Sequence, residues 1–298
     1  MTVAALPVLN ERLGILLRIL STLAFATMGV CIKALGDVVP LGQVVFFRSI
    51  FALMPLVGFL WWCGDWPRGL VTRHRVGHVV RCLLGATAMF TSFATIRLLP
   101  LAEATMLSYL APVMLALLGW AYLGERLTTR RVASIALGLS GGAVFCLPAF
   151  ASVGALSDGA ALGLGLGLVT AALTAGALVQ VRKLTLAGEG AGAIAFWFAV
   201  TSALGGLGTL PMGWVWPGPA TGGLLICTGL AGGIAHILMT LSFRHAGAVA
   251  LAPFEYISVI WAVAFGFLFF AEVPSGTFLA AGTLILAGAY VALPSKTR

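Results

Sequence analysis

Arg48, His236 and Glu255 are ionisable residues that stand inside long apolar runs of the chain. A charge held in hydrocarbon costs at least a few kcal/mol, so residues of this kind are candidates for function by default. Arg48 has the chemistry to hold a substrate carboxylate, or to clamp a helix end or a second charge. Glu255, two residues after Pro253 and next to Tyr256, suits an ammonium group, a coupling proton or a buried structural pair. His236 can line a cavity, titrate with a transported proton, or serve as a satisfied packing ring. Tyr109, Trp197, Tyr256 and Trp261 also lie deep in apolar segments, where aromatic rings either wall a cavity or fill a core.

No catalytic or metal-holding spacing accompanies these residues. The phosphate-binding pattern GxxxxGK[ST] is absent, which argues against ATP-driven transport by this chain alone, and HExxH and CxxC are absent as well. The cysteines (Cys31, Cys63, Cys82, Cys146, Cys227) all sit in apolar segments without paired spacing and read as small buried hydrophobes. No cofactor, metal or enzymatic activity is expected from this pattern.

The elements that must position these residues follow from composition. Apolar residues make up 60% of the chain, charged ones 9%, and the mean hydropathy is +1.08. A soluble domain carries roughly 25% charge. A membrane span needs about 20 apolar residues, and ten such segments are predicted: 14–35, 41–63, 76–97, 102–123, 131–148, 159–183, 192–213, 221–243, 248–270 and 275–293. The first runs on to Leu35, long enough to be retained as a span rather than cleaved as a signal.

The net charge of +8 does not point to nucleic acid, because the basic residues fall in the short gaps between apolar segments. Taking the N-terminus as cytoplasmic places fourteen of them at cytoplasmic span ends, Arg18 and Arg81 included, against Lys33 and Arg97 outside. That asymmetry predicts a membrane protein with both termini in the cytoplasm. Trp61, Trp62, Trp66, Trp214 and Trp216 fall at span ends, as interfacial belts require.

The chain also repeats. Ile96–Arg126 matches Phe243–Val273 at an offset of 147 residues, pairing Arg97 with Arg244, Tyr109 with Tyr256 and Glu125 with Glu272. The predicted halves are residues 1–148 and 159–298, joined by a linker at 149–158. Five spans per half is an odd number, so the second half enters the membrane from the opposite side. Inverted halves with a substrate site between them are a recurring design of secondary transporters. Pro55, Pro112 and Pro253 interrupt spans and are either bending points or static kinks. Glu125 and Glu272, each ahead of an N-cap residue (Thr128 or Ser275), read as staples of a helix-to-helix turn.

The stretch LLPLAEATMLSYLAPVMLALLGWAYLGERLTTRRVASIALGLSGG resembles the half-repeat of EamA-type members of the drug/metabolite transporter superfamily. The shared features are a turn, a Pro-containing helix, a Leu-Gly-Glu-Arg-Leu turn and a Gly-rich final helix. The second half departs from it, with Ala271-Glu272-Val273-Pro274 at the turn. The resemblance implies an all-α polytopic protein of ten helices in two inverted five-helix repeats. Their central cavity is then walled mainly by the first four helices of each half. Within the family the chain is most similar to the YddG-type bacterial exporters of aromatic and other neutral amino acids.

The expected function is therefore export of amino acids or similar small metabolites by alternating access, as a monomer in membrane lipid. The expected substrate contacts are Arg48, Tyr109, Trp197, His236, Glu255, Tyr256 and Trp261. The competing expectations are a multidrug or organic-cation exporter, and an intramembrane enzyme or lipid-handling scaffold.

Overall fold

The computed structural model describes residues 10–36, 38–98, 107–150, 160–271 and 276–293, and helix is their regular structure throughout. Ten main helices are found among them. They are α1 (Glu11–Leu35), α2 (Leu41–Trp62), α3 (Arg75–Leu98), α4 (Leu110–Leu123) and α5 (Thr129–Phe150), then α6 (Ala160–Leu186), α7 (Ala191–Leu207), α8 (Pro219–His245), α9 (Ile257–Phe270) and α10 (Gly276–Ala292). Five helical stretches are long and apolar enough to cross a membrane: Glu11–Leu35, Leu41–Trp62, Leu162–Leu186, Pro219–His245 and Ala248–Phe269. The expected linker at 149–158 falls almost wholly outside the described residues, as do Glu272 and Ser275.

Local chemistry sets the ends. Asn10 opens α1 by accepting a hydrogen bond from the Leu13 amide at 3.1 Å. The ninth span is discontinuous: an α-turn at Ala248–Leu251, a 3₁₀ stretch at Ala252–Tyr256, then α9. Pro253 has no amide to continue the α ladder, and the chain tightens through it. Tyr256 stands immediately before α9, and Tyr109 holds the corresponding place before α4. Pro112 is the third residue of α4, where a missing amide goes unnoticed, so it opens that helix rather than breaking it. Pro55 lies inside α2, which continues through it.

The helices pack across the halves. The most extensive pairings are α1 with α8, α3 with α6, α2 with α7 and α8, α4 with α6, α1 with α9, and α5 with α10. Shifting every helix by five exchanges α1–α8 with α3–α6 and α4–α6 with α1–α9, and returns α2–α7 and α5–α10 to themselves. Close approach of α8 to α2 depends on Gly233, where a Cβ would come within 2.5 Å of Pro55 Cγ and 2.7 Å of the Ala52 carbonyl. Tyr256 is wholly buried in the central core, beside Leu115, Phe243, Phe254 and Ile285. Its hydroxyl donates to the Tyr109 carbonyl at 3.0 Å, so the two residues paired by the repeat touch at the centre. Large apolar side chains cover the outside, and Trp62 at the end of α2 and Trp216 in the loop before α8 are 89% and 97% exposed. Lipid suits such a surface; water does not.

Candidate functional site

A cavity of about 410 Å³ lies at the middle of the bundle. Its walls come from α1, α2, α3, the start of α4, α6, α7, α8, and the turn into α9 with the first turn of that helix, while among the described residues α5 and α10 contribute nothing to it. Most of the lining is apolar or small. The exceptions are Arg18, Arg48, Arg81, His236 and Glu255, with Ser and Thr hydroxyls between them.

Arg48 lines the cavity from the second turn of α2. Its Nη2 is 3.5 Å from His236 Nε2, and its Nη1 is 3.9 Å from Met89 Sδ. A guanidinium only donates, so His236 Nε2 is the acceptor and the imidazole proton sits on Nδ1. That Nδ1 is buried and has no hydrogen-bond partner. Phe25 and Phe198 hold the imidazole ring from two sides, with centroids 5.1 and 5.0 Å away. His236 is thus a neutral, oriented ring in the cavity wall.

Glu255 meets Arg18 in an ion pair across the halves. The Arg18 guanidinium also lies 5.3 Å from the centre of the Phe243 ring. On the opposite wall the Arg81 guanidinium stacks on Phe198 at 4.2 Å. Its Nε and Nη1 are buried without a hydrogen-bond partner. Sequence reasoning placed Arg18 and Arg81 on the cytoplasmic rim; the fold turns both inward, where they are 2% and 4% exposed. Both arginines therefore leave the set of basic residues at the span ends. A signal for Arg18 did exist, because Gly14, Ile15, Arg18, Ser21 and Thr22 form one buried helical face of small and polar residues.

The remaining expected contacts divide. Tyr109 and Pro112 line the cavity at the break before α4. Tyr256 lies behind the wall, packed so close to Gly138 that a Cβ there would overlap its ring. Trp261 donates from Nε1 to Thr22 Oγ1 at 3.2 Å, tying α9 to α1. Trp197 is 36% exposed and donates to the Leu70 carbonyl at 3.1 Å, away from the cavity.

Two carboxylates outside the cavity bind the halves together. Glu125 accepts from the amides of Ala248 and Val249 at 2.9 and 2.8 Å, capping the turn that leads to α9. Arg182 on α6 reaches the same carboxylate at 3.4 Å and also donates to the Phe243 carbonyl at the end of α8. Thr128, as expected, lies at the N-terminus of α5, and the Arg131 amide donates to its Oγ1 at 3.4 Å. Glu189, in the turn after α6, accepts from Thr72 Oγ1 at 2.8 Å and from the amides of Arg73 and His74 at 3.2 and 3.3 Å. His78 Nε2 is 3.2 Å from its other oxygen. No sequence pattern singled out Glu189, because its partners lie more than 100 residues away.

A bundle of apolar helices around a central cavity with polar anchors is the architecture of a small-molecule transporter of the membrane. Residues 12–147 match the EamA-like transporter family. The pseudopaline exporter CntI of Pseudomonas aeruginosa is 30% identical over 280 residues, covering 92% of this chain and 93% of its own. The chain belongs to the EamA-like transporter family. The riboflavin transporter of Rhizobium johnstonii is 27% identical across 96% of this chain and 92% of its own. The S-adenosylmethionine uptake transporter of Rickettsia felis is 23% identical across 90% and 88%. A crystal structure with 23% identity superimposes at a TM-score of 0.80, covering 94% of this chain and 96% of the other, which establishes the fold. The protein is a multi-pass membrane transporter of small metabolites and not an enzyme.

Proposed function

We propose that this protein exports amino acids, aromatic and other neutral ones among them, or similar small metabolites. It works as a monomer in the bacterial inner membrane, with both termini cytoplasmic. Its two inverted halves, residues 1–148 and 159–298, alternate access to the central cavity. The observation that carries the reading is that Arg48, Tyr109, His236 and Glu255 share that cavity with Arg18 and Arg81 on otherwise apolar walls. Arg48 receives the substrate carboxylate, Glu255 attracts its ammonium group, and Phe25, Tyr109 and Phe198 take the side chain. Trp197, Tyr256 and Trp261 support the wall from behind or outside it. The outward direction draws support from the exporter among the relatives. Three guanidinium groups against one carboxylate among the described residues make the cavity unsuited to an organic cation.

Counterflow in proteoliposomes of the purified protein tests this, with labelled phenylalanine, tryptophan, leucine and a cationic dye. Amino-acid exchange that exceeds empty liposomes, and falls about tenfold in Arg48→Gln, is the expected result. Dye exchange without amino-acid exchange overturns the reading.

A further inference from the structure

Among the described residues three arginines and one glutamate face the cavity, and the glutamate is already taken. Glu255 pairs with Arg18, so Arg48 and Arg81 face the cavity without a carboxylate partner among the described residues. The polar side-chain contacts of Arg48 among the described residues are a thioether and an imidazole nitrogen. Arg81 lies over the face of Phe198, with two guanidinium nitrogens that have no hydrogen-bond partner among the described residues. A continuous path of contacts joins them: Arg81 on Phe198, Phe198 on His236, His236 on Arg48. This aromatic floor holds at each end a guanidinium with no carboxylate partner among the described residues.

Buried guanidinium groups without a counter-charge are unfavourable, and they fit planar carboxylates through paired N–H donors. A zwitterion with one carboxylate satisfies one of the two and must compete with Arg18 for Glu255. A molecule with two carboxylates satisfies both and leaves the Arg18–Glu255 pair intact. We infer that the preferred substrates are amino-acid derivatives bearing two carboxylates, one on Arg48 and the second on Arg81. This rests on the central cavity being the transport site, and it makes Arg81 a specificity-determining residue.

The matched pair L-phenylalanine and N-(carboxymethyl)-L-phenylalanine differs by one carboxylate and keeps the apolar ring. Counterflow of both, labelled, in proteoliposomes of the wild-type protein is expected to favour the dicarboxylate about tenfold, the contribution of one charge-assisted hydrogen bond. In Arg81→Gln that ratio falls towards one, and in Arg81→Lys, which keeps the charge but not the fork, it is intermediate. A monodisperse elution profile of the purified variants reports that they are folded. A wild-type ratio of one or less, or a ratio unmoved by Arg81→Gln, overturns the inference and leaves amino-acid export standing. Failure of both compounds to move overturns the export reading and the inference with it.

Discussion

Glu255 is where the cost of a buried charge is most directly met. Its side chain is 23% exposed and that of Arg18 only 3%. Removing one partner of a buried ion pair leaves the other uncompensated and typically costs about 3–5 kcal/mol. Glu255→Gln is therefore expected to lower the thermal stability of the detergent-solubilised protein by about 3 kcal/mol, and Arg18→Met in the same chain to recover most of it. A double-mutant cycle on unfolding midpoints measures this; additive losses would mean that the pair contributes nothing. Glu189 gives a second residue-level prediction, on pH. Burial pushes its carboxyl up, but the hydrogen bonds from Thr72 and His78, the charge on His78 and the His74 amide outweigh burial and hold it below the usual carboxylate range. A group whose folded-state pKa is depressed stabilises the fold above its unfolded value and loses that contribution as pH falls through the folded one. The stability gap between wild type and Glu189→Gln should be widest near neutral pH and close in acid, as thermal melts across pH will show.

At the level of the helix, the two halves solve the same problem with unequal residues. α4 ends at Gly124 with φ +64°, and α9 ends at Ala271 with φ +53°, the position that the 147-residue offset pairs with Gly124. A left-handed conformation costs a residue with a Cβ about 1–2 kcal/mol, partly offset by the greater freedom that glycine loses on folding. Ala271→Gly is expected to raise stability by about 0.5–1 kcal/mol, read as a higher melting midpoint. Glu125 acts on an element of the other half, so Glu125→Ala strips the cap from the Ala248–Leu251 turn and the partner from Arg182. A loss of about 2 kcal/mol is expected, larger than for an ordinary turn residue.

Much of this level was legible in the sequence. The spans, the break at Pro253 and the pairing of Tyr109 with Tyr256 follow from hydropathy and from the repeat. Which face of each helix meets the cavity was not legible for Arg18 and Arg81. An arginine near a helix end has the same local sequence whether it turns to the lipid headgroups or into the bundle. The same limit applies to Trp197 and Trp261, whose depth in an apolar run says nothing about which neighbour they meet. Glu125 was legible as a structural residue in a turn, but its partners on the far half were not.

For the whole molecule, the contact pattern is what gives the cavity its place. The main pairings are made between halves rather than within them, and the cavity is the space that eight of the ten helices leave along that interface. The proposed alternating access calls for one half to rock against the other, with the Tyr109–Tyr256 contact at the centre and the Glu125–Arg182 cluster tying the halves together. The central cavity is, on the proposed function, the path of the substrate. Thr174, on the cavity wall in α6, offers the most direct test. A Thr174→Cys variant would be made in a background whose five native cysteines are replaced, and treated with a small membrane-permeant thiol reagent before reconstitution. Counterflow should then be lost, substrate should slow the labelling, and the same treatment of Leu16→Cys on the exposed face of α1 should leave transport intact. Full transport by completely labelled Thr174→Cys would contradict the account.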